Sequence, residues 1–500
     1  MTLSARALIW VSLSLIAAVA VWGVLNPAGM VATASSLVTQ QFHSRAWFVM
    51  LTVTGMLVFC VWLAVSPYGK IRLGADTDRP EFSTISWLTM LFSAGMGVGL
   101  LFWASAEPLT HFRLMRPVLG DAEAAQQAMF VTNFHWGLHA WAIYAATALV
   151  IAYFTFRRGT PMLVGAPFTS VFGQEVWARL VGWLANLLAI VAIAIGVGGS
   201  IAMGVFQVAD GIDLLVGGDG AGDTLVLIVF LVLFGCYIPP LMVDLGTGMA
   251  RLSNLAMATA ALLLVYVIVT GPTQYMMNSI LEGFGAYLVE FFPRGFLTYT
   301  FFEPGTESWF QDWTLTYMVW WLAWGPFVGV FVARISRGRT IREFVTGVLI
   351  GPVTFSLIWF GTFGGIGFYE TLQGTGELLG LTETAVERVT FVLLDRLPLG
   401  TVTTVLTIVA AFLFIVTSVV SAAFVLGSFA LGGTPDPSPR MKLIWGVLLG
   451  CLGYAMILSG SIDAIKKVIA LGAMPFVFIT ILLLVCLLRA LGKEARHADR

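Results

Sequence analysis

The sequence predicts an all-helical integral membrane protein. Of its 500 residues, 58% are hydrophobic and only 11% are charged, which is more apolar surface than one soluble core can bury. A helix needs about 20 apolar residues to cross a bilayer, and it satisfies its own backbone hydrogen bonds there. The apolar runs of this chain reach that length, so we expect its membrane part to consist of helices.

Apolar runs separated by charged or Gly/Pro-rich segments predict twelve transmembrane helices. They lie near residues 7–28, 46–65, 84–104, 126–156, 176–207, 224–243, 253–270, 313–335, 344–368, 402–431, 441–459 and 466–489. An even number places both termini on one side. Lys and Arg are concentrated in the loops of that side, as in Arg334–Arg342, which indicates the cytoplasm. We therefore expect a multi-pass protein in the lipid of the cell inner membrane, with cytoplasmic termini.

The segment 274–307, between the seventh and eighth runs, differs from the spans. Its Met, Leu, Phe and Tyr residues recur at helical spacing around Glu282 and Glu290. This pattern predicts an amphipathic helix that lies along the outer surface of the membrane.

The composition argues against several classes of protein. The net charge is -1, and no basic run is interleaved with aromatic residues, so nucleic acid is not expected as a partner. The chain lacks the HExxH, GxSxG and P-loop signatures, so we expect neither an enzyme nor a bound cofactor. His135 and His139 have a spacing compatible with a metal ion, but no carboxylate or cysteine accompanies them. We interpret both as hydrogen-bonding residues at helix contacts.

The third run contains three glycines at alternate positions, in the sequence from Ser93 to Gly99. Each glycine weakens a helix by about 1 kcal/mol relative to alanine, so we expect the helix to break there. Unwound backbone at the middle of a membrane exposes dipoles that bind ions and carboxylates. The alternative is that these small residues serve close packing between helices.

Two further stretches carry clustered aromatic residues. Trp136, Trp141 and Tyr144 fall within an arc of about 140° on the fourth span. In the eighth span, Trp320, Trp321 and Trp324 share one face just before Gly325-Pro326, where we expect a second helix break. Single tryptophans usually lie at membrane interfaces, but clusters in the middle of a span favour a different role. A quaternary ammonium group cannot donate an N–H hydrogen bond and binds between aromatic faces, so these clusters predict a trimethylammonium ligand.

The same stretches resemble the betaine/choline/carnitine transporter family. The resemblance rests on WWLAWGPFVGVFVARISRGRTIR from Trp320, FHWGLHAWAIYA from Phe134 and GMGVGLLFW from Gly95, and it extends through nearly all the spans. It implies a homotrimer of independently working protomers. It also implies two inverted repeats, at 84–270 and 313–489, with the spans of residues 7–65 outside this core.

The resemblance further implies the residues of a central substrate site. Trp136, Trp141, Tyr144 and Trp321 would form an aromatic box, and Trp320 and Trp324 would line the route towards the cytoplasm. The backbone of Gly95, Met96, Gly97 and Gly99 would face the substrate. Choline carriers of the family tend to have aspartate where this chain has Gly99, so a zwitterion such as glycine betaine or carnitine is favoured. Ectoines and sulfonium compounds remain alternatives.

Sodium symport is the coupling that the resemblance favours. Hard oxygen donors suit a small cation, and the family's sodium ligands correspond here to Ser93, Met96, Phe414, Thr417 and Ser418. An alternative is sodium-independent exchange of substrate for product, in which Arg251 would replace the ion. A third possibility, an ion channel, would need a path lined by polar rings, which the aromatic stretches do not supply. The sequence leaves open the substrate, the stoichiometry and the choice between symport and exchange.

Overall fold

The computed structural model describes residues 3–95, 97–242, 246–302 and 304–498. Within these ranges the regular structure is helical, apart from one isolated antiparallel bridge between Arg72 and Thr340. Eleven helices among the described residues are long and apolar enough to cross a membrane. The all-helical, multi-pass membrane fold predicted from the composition is confirmed.

The helices follow one another with short connections. In chain order they are α1 Leu3–Leu25, α2 Pro27–Val65, α3 Thr84–Gly95, α4 Val98–Phe102, α5 Ala106–Leu119, α6 Asp121–His135, α7 Leu138–Ala152, α8 Ala166–Phe172, α9 Val176–Leu215, α10 Asp223–Leu241, α11 Gly246–Thr270, α12 Thr273–Arg294, α13 Pro304–Phe310, α14 Thr316–Ile335, α15 Ile341–Gln373, α16 Glu377–Thr384, α17 Val389–Asp395, α18 Gly400–Ala430, α19 Pro439–Ile457, α20 Ile462–Ala473 and α21 Phe476–Ala498. π-helical turns at Tyr153–Arg157 and Gln311–Leu315 extend α7 and precede α14.

The third predicted span is divided, as its glycines indicate. Helix α3 ends at Gly95 and α4 begins at Val98, while Met96 lies outside the described residues. Neither part is long enough to cross a bilayer alone, which is why the structure has eleven long helices where the sequence predicts twelve spans. The proposed inverted relationship between 84–270 and 313–489, with 7–65 outside it, stays a prediction.

The fourth span is also interrupted, which the sequence analysis did not predict, although Asp121–Arg157 as a whole still counts as one of the eleven spans. Helix α6 ends at His135 and α7 begins at Leu138, with only Trp136 and Gly137 between them. A Cβ atom on Gly137 would lie 2.2 Å from the phenol oxygen of Tyr287. Glycine is therefore required here by the close approach of α12.

The predicted break in the eighth span is wrong. Helix α14 continues through Gly325 and Pro326. Proline removes only one backbone hydrogen bond, and Gly325 packs against α7, where an added Cβ would lie 3.4 Å from the Thr147 hydroxyl. This close helix contact keeps the segment helical despite the Gly-Pro sequence.

The predicted amphipathic segment 274–307 forms helix α12, followed by the short helix α13. One side of α12 is buried, including Met276 and Tyr287, and it packs against α6 and α15: a Cβ on Gly361 would lie 2.7 Å from Ile280. Residues Thr273–Arg294 are thus helical, and the position of this helix at the membrane surface stays a prediction.

The loop after α14 is bound to the segment before α3. Leu73 N–H donates to Arg339 O, and Gly338 N–H donates to Leu73 O, both at 2.8 Å. The Arg339 guanidinium lies 4.0 Å from the centre of the Trp87 ring, whose Nε1 donates to Ser336 Oγ at 2.9 Å. These contacts hold the start of the divided third span against the end of the eighth.

We expect the substitution Gly338→Ala to destabilise the protein more than Gly376→Ala. Both glycines have a positive φ, +81° and +74°, so alanine costs about 1 to 2 kcal/mol at either position. A Cβ at position 338 would also lie 2.3 Å from Arg79 O, whereas at position 376 the nearest atom is 3.8 Å away. Overpacking adds about 1 to 3 kcal/mol. Thermal unfolding in detergent measures the difference, and equal midpoints would contradict the packing of this loop.

Candidate functional site

Side chains at the two helix breaks and on α9 and α14 surround a cavity of about 50 Å³. We call it the aromatic cavity because six of its lining residues are tryptophan or tyrosine. The lining consists of Gly97, Val98, Gly99, Trp103, Trp136, Ser200, Met203, Tyr317, Trp320, Trp321 and Trp324. No charged side chain is among these described lining residues, so the cavity offers a ligand ring faces, one hydroxyl and backbone groups.

The rings of the cavity meet edge to face. The centres of Trp136 and Trp321 are 5.1 Å apart with planes at 80°, and those of Trp136 and Tyr317 are 5.8 Å apart at 64°. Nearly perpendicular rings present faces from different directions to one enclosed volume. This geometry suits a compact cation, which gains about 0.5 to 2 kcal/mol from each ring face.

The four residues of the expected aromatic box fall into two layers. Trp136 and Trp321 line the cavity, whereas Trp141 and Tyr144 are buried outside the lining. Tyr144 contacts Trp321 edge to face at 5.6 Å, and Trp141 contacts Tyr144 in the same way at 5.5 Å. Trp141 and Tyr144 therefore form an outer layer that supports Trp321.

The other expected substrate residues also approach the cavity where they are described. Trp320 and Trp324 line it, as do Gly97 and Gly99. A Cβ on Gly99 would lie 3.2 Å from the Trp136 ring, so a larger side chain there would compete with that ring for space. The expected positions Ser93, Gly95 and Met96 lie outside the residues whose side chains the structure describes.

The break in the fourth span is completed by side chains from two other helices. Trp321 Nε1 donates to His135 O at 2.8 Å, and Leu138 N–H donates to the Tyr287 phenol oxygen at 2.6 Å. Broken helices leave backbone groups without partners, and such groups are costly away from water. The cavity tryptophan and the amphipathic helix α12 therefore both stabilise the unwound turn at Gly137.

A buried carboxylate stands behind the aromatic cavity. Glu107 is completely buried, and its Oε2 accepts hydrogen bonds from Trp136 Nε1 at 2.8 Å and from the Tyr317 hydroxyl at 2.5 Å. Its Oε1 lies 2.6 Å from His135 Nδ1 and 3.5 Å from His111 Nε2. One acid thus binds two lining rings and the His135 imidazole, with the His111 imidazole close by.

The interpretation that no carboxylate accompanies His135 is wrong, because Glu107 binds it across the gap between α5 and α6. With His111 they bring three metal-ligand atoms within 4.8 Å of one another. The other ring nitrogens already have partners: His135 Nε2 lies 2.9 Å from Thr314 Oγ1, and His111 Nδ1 accepts from Trp309 Nε1 at 3.2 Å. The cluster is therefore built as a hydrogen-bond network. Both nitrogens of His139, in contrast, have no partner among the described residues.

A second cavity adjoins the first through Trp103, which lines both. We call it the charged vestibule; its ionisable lining residues are Arg113, Asp312, Glu383, Glu387, Asp463, Lys466 and Lys467. The Lys466 ammonium lies 2.7 Å from the Asp463 carboxylate and lowers the pKa of that carboxyl, while burial raises the pKa of Glu387. Acidic and basic side chains pair within the charged vestibule, so it has little net charge.

Helix α18 brings hydroxyls to the divided third span. A Cβ on Gly97 would lie 3.9 Å from Ser418 Oγ. Thr417 Oγ1, one residue earlier, donates to the backbone oxygens of Leu413 at 2.9 Å and Phe414 at 3.1 Å. Ser418 is thus beside the break, whereas the Thr417 hydroxyl binds carbonyls of its own helix; the role of Phe414, Thr417 and Ser418 as sodium ligands stays a prediction.

Several lining residues were missing from the expected site: Trp103, Ser200, Met203 and Tyr317, with Glu107 behind them. Tyr317 precedes Trp321 by four residues and so shares its helical face, a signal that the sequence contains. Ser200 lies beyond the glycines of α9. Glu107 has no such signal, because its partners come from distant segments.

Broken membrane helices around an enclosed aromatic cavity define a helical membrane carrier. Residues 7–496 match the model of the betaine/carnitine/choline family transporters. The chain belongs to this family, and it is a transporter rather than an enzyme. The resemblance stated from the sequence motifs is confirmed.

Curated relatives agree along the whole chain. The glycine betaine transporter OpuD of Bacillus subtilis (strain 168) is 36% identical over 494 residues, covering 98% of this chain and 95% of that protein. A glycine betaine/proline/choline/ectoine transporter of Vibrio parahaemolyticus is 34% identical over 414 residues, covering 80% and 71%. A solved Na+-coupled sialic acid symporter aligns with a TM-score of 0.47 at 14% identity, covering 87% and 86%; this similarity is too slight to support an argument.

We expect Tyr287→Phe to lower the midpoint of thermal unfolding, because it leaves the Leu138 N–H without a partner at about 1 to 3 kcal/mol. The matched control is Tyr266→Phe, since the Tyr266 hydroxyl is buried without a partner among the described residues. Unfolding followed by tryptophan fluorescence measures both. A midpoint for Tyr287→Phe equal to that of the control would show that α12 does not stabilise the break.

Proposed function

We propose that this chain takes up a zwitterionic quaternary ammonium compound, with glycine betaine as the first candidate, by sodium-coupled secondary transport. The relatives named as glycine betaine transporters support the substrate class. The observation that carries the proposal is the aromatic cavity, in which Trp136, Trp321 and Tyr317 present mutually inclined ring faces. A trimethylammonium group can gain cation–π energy there without losing a hydrogen bond.

The lining favours a zwitterion over a simple cation. The described residues of the cavity include no carboxylate, so choline would bring a positive charge without a direct counter-ion. A betaine brings its own carboxylate, for which Ser200 and the backbone at Gly97 and Gly99 are the polar groups at hand. Carnitine, ectoines and sulfonium compounds share parts of this chemistry, so each should be tested as a competitor of glycine betaine uptake.

The two cavities suggest how the substrate moves. Trp103 separates the aromatic cavity from the charged vestibule, so its displacement would join them. Carriers alternate the exposure of a central site by rocking one group of helices against another. We further propose that the protein lies in the cell inner membrane with cytoplasmic termini, as a homotrimer of independent protomers.

Sodium is the proposed coupling ion because α18 places Ser418 beside Gly97 at the divided span. Backbone and hydroxyl oxygens from two helices are the ligands that a small hard cation prefers. Arg251, the residue expected to replace sodium in an exchanger, is exposed at the start of α11 and is not part of the cavity lining. Exchange stays an alternative, which the uptake assay below tests directly.

The variant Trp321→Ala should raise the KM for glycine betaine about tenfold or more in proteoliposomes. It removes one ring face beside the cation and the hydrogen bond that Trp321 donates to His135 O. A loss of 1.4 kcal/mol of binding free energy corresponds to a tenfold loss of affinity. Trp10→Ala is the control, because Trp10 is 71% exposed and is not among the residues that line the cavity. An unchanged KM for Trp321→Ala would remove the aromatic cavity as the substrate site.

The double variant Thr417→Ala, Ser418→Ala should abolish the stimulation of uptake by an inward sodium gradient, with potassium as the reference cation. Ser421→Ala is the matched control, since Ser421 lies on the same helix but is exposed. Sodium stimulation that persists in the double variant would exclude these ligands. Uptake indifferent to sodium in the unmodified protein, but accelerated by substrate inside the vesicle, would identify an exchanger instead.

A further inference from the structure

The most unusual group near the aromatic cavity is one that does not line it. Glu107 has no exposed surface, and its described ion-pair contacts are with His111 and His135 alone. A buried charge is costly unless hydrogen bonds stabilise it. The donors that stabilise this one include the N–H of Trp136 and the O–H of Tyr317, both of which line the cavity.

The hydrogen bonds at Oε2 of Glu107 are those of a carboxylate acceptor. The indole N–H of Trp136 can only donate, and the Tyr317 hydroxyl also faces Oε2. His111 accepts at Nδ1 from Trp309 Nε1, so its imidazole is neutral and does not offset a charge on Glu107. His135 Nδ1 lies 2.6 Å from Oε1, and a neutral His135 with its proton on Nδ1 donates to the carboxylate without cancelling its charge. The negative charge of Glu107 then acts on the cavity.

A negative charge behind the rings strengthens their attraction for a cation in two ways. In a low-dielectric interior it attracts a positive nitrogen directly. Hydrogen bonds also polarise one another, so donation from the indole and the phenol to a carboxylate makes the ring faces more negative, and ring charge is the source of cation–π attraction. Both effects act on the charge of a ligand and not on its shape.

We propose that Glu107 is a specificity-determining residue of the carrier: its charge, placed one layer behind Trp136 and Tyr317, makes the aromatic cavity select a positively charged quaternary nitrogen over an uncharged group of the same shape. This inference rests on the proposed function. It assigns to Glu107 the electrostatic role that the lining itself lacks, because Gly99 and its described neighbours carry no acid.

The competing explanation is purely structural, with Glu107 only holding its partners in place. The two explanations differ for a ligand that keeps the shape of glycine betaine but has carbon in place of the quaternary nitrogen. That ligand is 3,3-dimethylbutyrate, which has the same carboxylate and the same three methyl groups and lacks the positive charge. Loss of a scaffold weakens both ligands, whereas loss of a negative charge weakens only the cationic one.

The test compares these two ligands on the full-length protein in proteoliposomes, using the KM of glycine betaine and the inhibition constant of 3,3-dimethylbutyrate. In Glu107→Gln, which keeps the size of the side chain, we expect the KM to rise about tenfold and the inhibition constant to stay equal or fall. Glu282→Gln is the control, because Glu282 is exposed on α12, and neither constant should change. Equal weakening of both ligands, or no change in either, would overturn the proposal.

A second variant covers the case in which Glu107→Gln does not fold. Tyr317→Phe keeps the carboxylate and the ring but removes the hydrogen bond between them, so the preference for glycine betaine over 3,3-dimethylbutyrate should fall about threefold. An unchanged preference would overturn the polarisation argument. Unmodified protein that shows no saturable uptake of glycine betaine would remove the proposed function itself, whereas normal uptake with an unaltered preference in the variants would remove only this inference.

Discussion

The site depends on a constraint that a membrane imposes on any buried charge: the carboxylate of Glu107 must find its hydrogen bonds within the protein. Three groups lie within hydrogen-bond distance of it: His135 at the end of α6, Trp136 directly after that helix, and Tyr317 on α14. Because these partners come from separate segments, the carboxylate determines how the two aromatic helices face each other. The orientation of the cavity rings follows from that arrangement.

Interrupted helices are the second requirement of the site, and the break in the fourth span is satisfied by two side chains that each have another role. Trp321 lines the cavity and binds the carbonyl of His135, while Tyr287 anchors α12 and binds the amide of Leu138. Unsatisfied backbone at this depth would cost several kcal/mol. The lining of the aromatic cavity, the break in the fourth span and the position of α12 are therefore coupled in one network.

The sequence predicted those features that depend on local composition. Long apolar runs produced the spans, and the alternating glycines before Gly99 correctly indicated the divided third span. The Gly325-Pro326 pair was misleading, because its effect depends on the packing of α14 against α7. The division at Gly137 and the partnership of His135 with Glu107 could not be predicted, since their partners are 149 and 28 residues apart in sequence. Trp136 and Trp321 were recognised from motifs, whereas the second-layer position of Trp141 and Tyr144 required the fold.

The aromatic cavity is the proposed site of the quaternary ammonium group. Cryo-electron microscopy of the protein in saturating glycine betaine tests this position, because the trimethylammonium group is compact and distinguishable from the carboxylate by its contacts. We expect density for that group between Trp136, Trp321 and Tyr317. Density confined to the charged vestibule, on the other side of Trp103, would refute the proposed site.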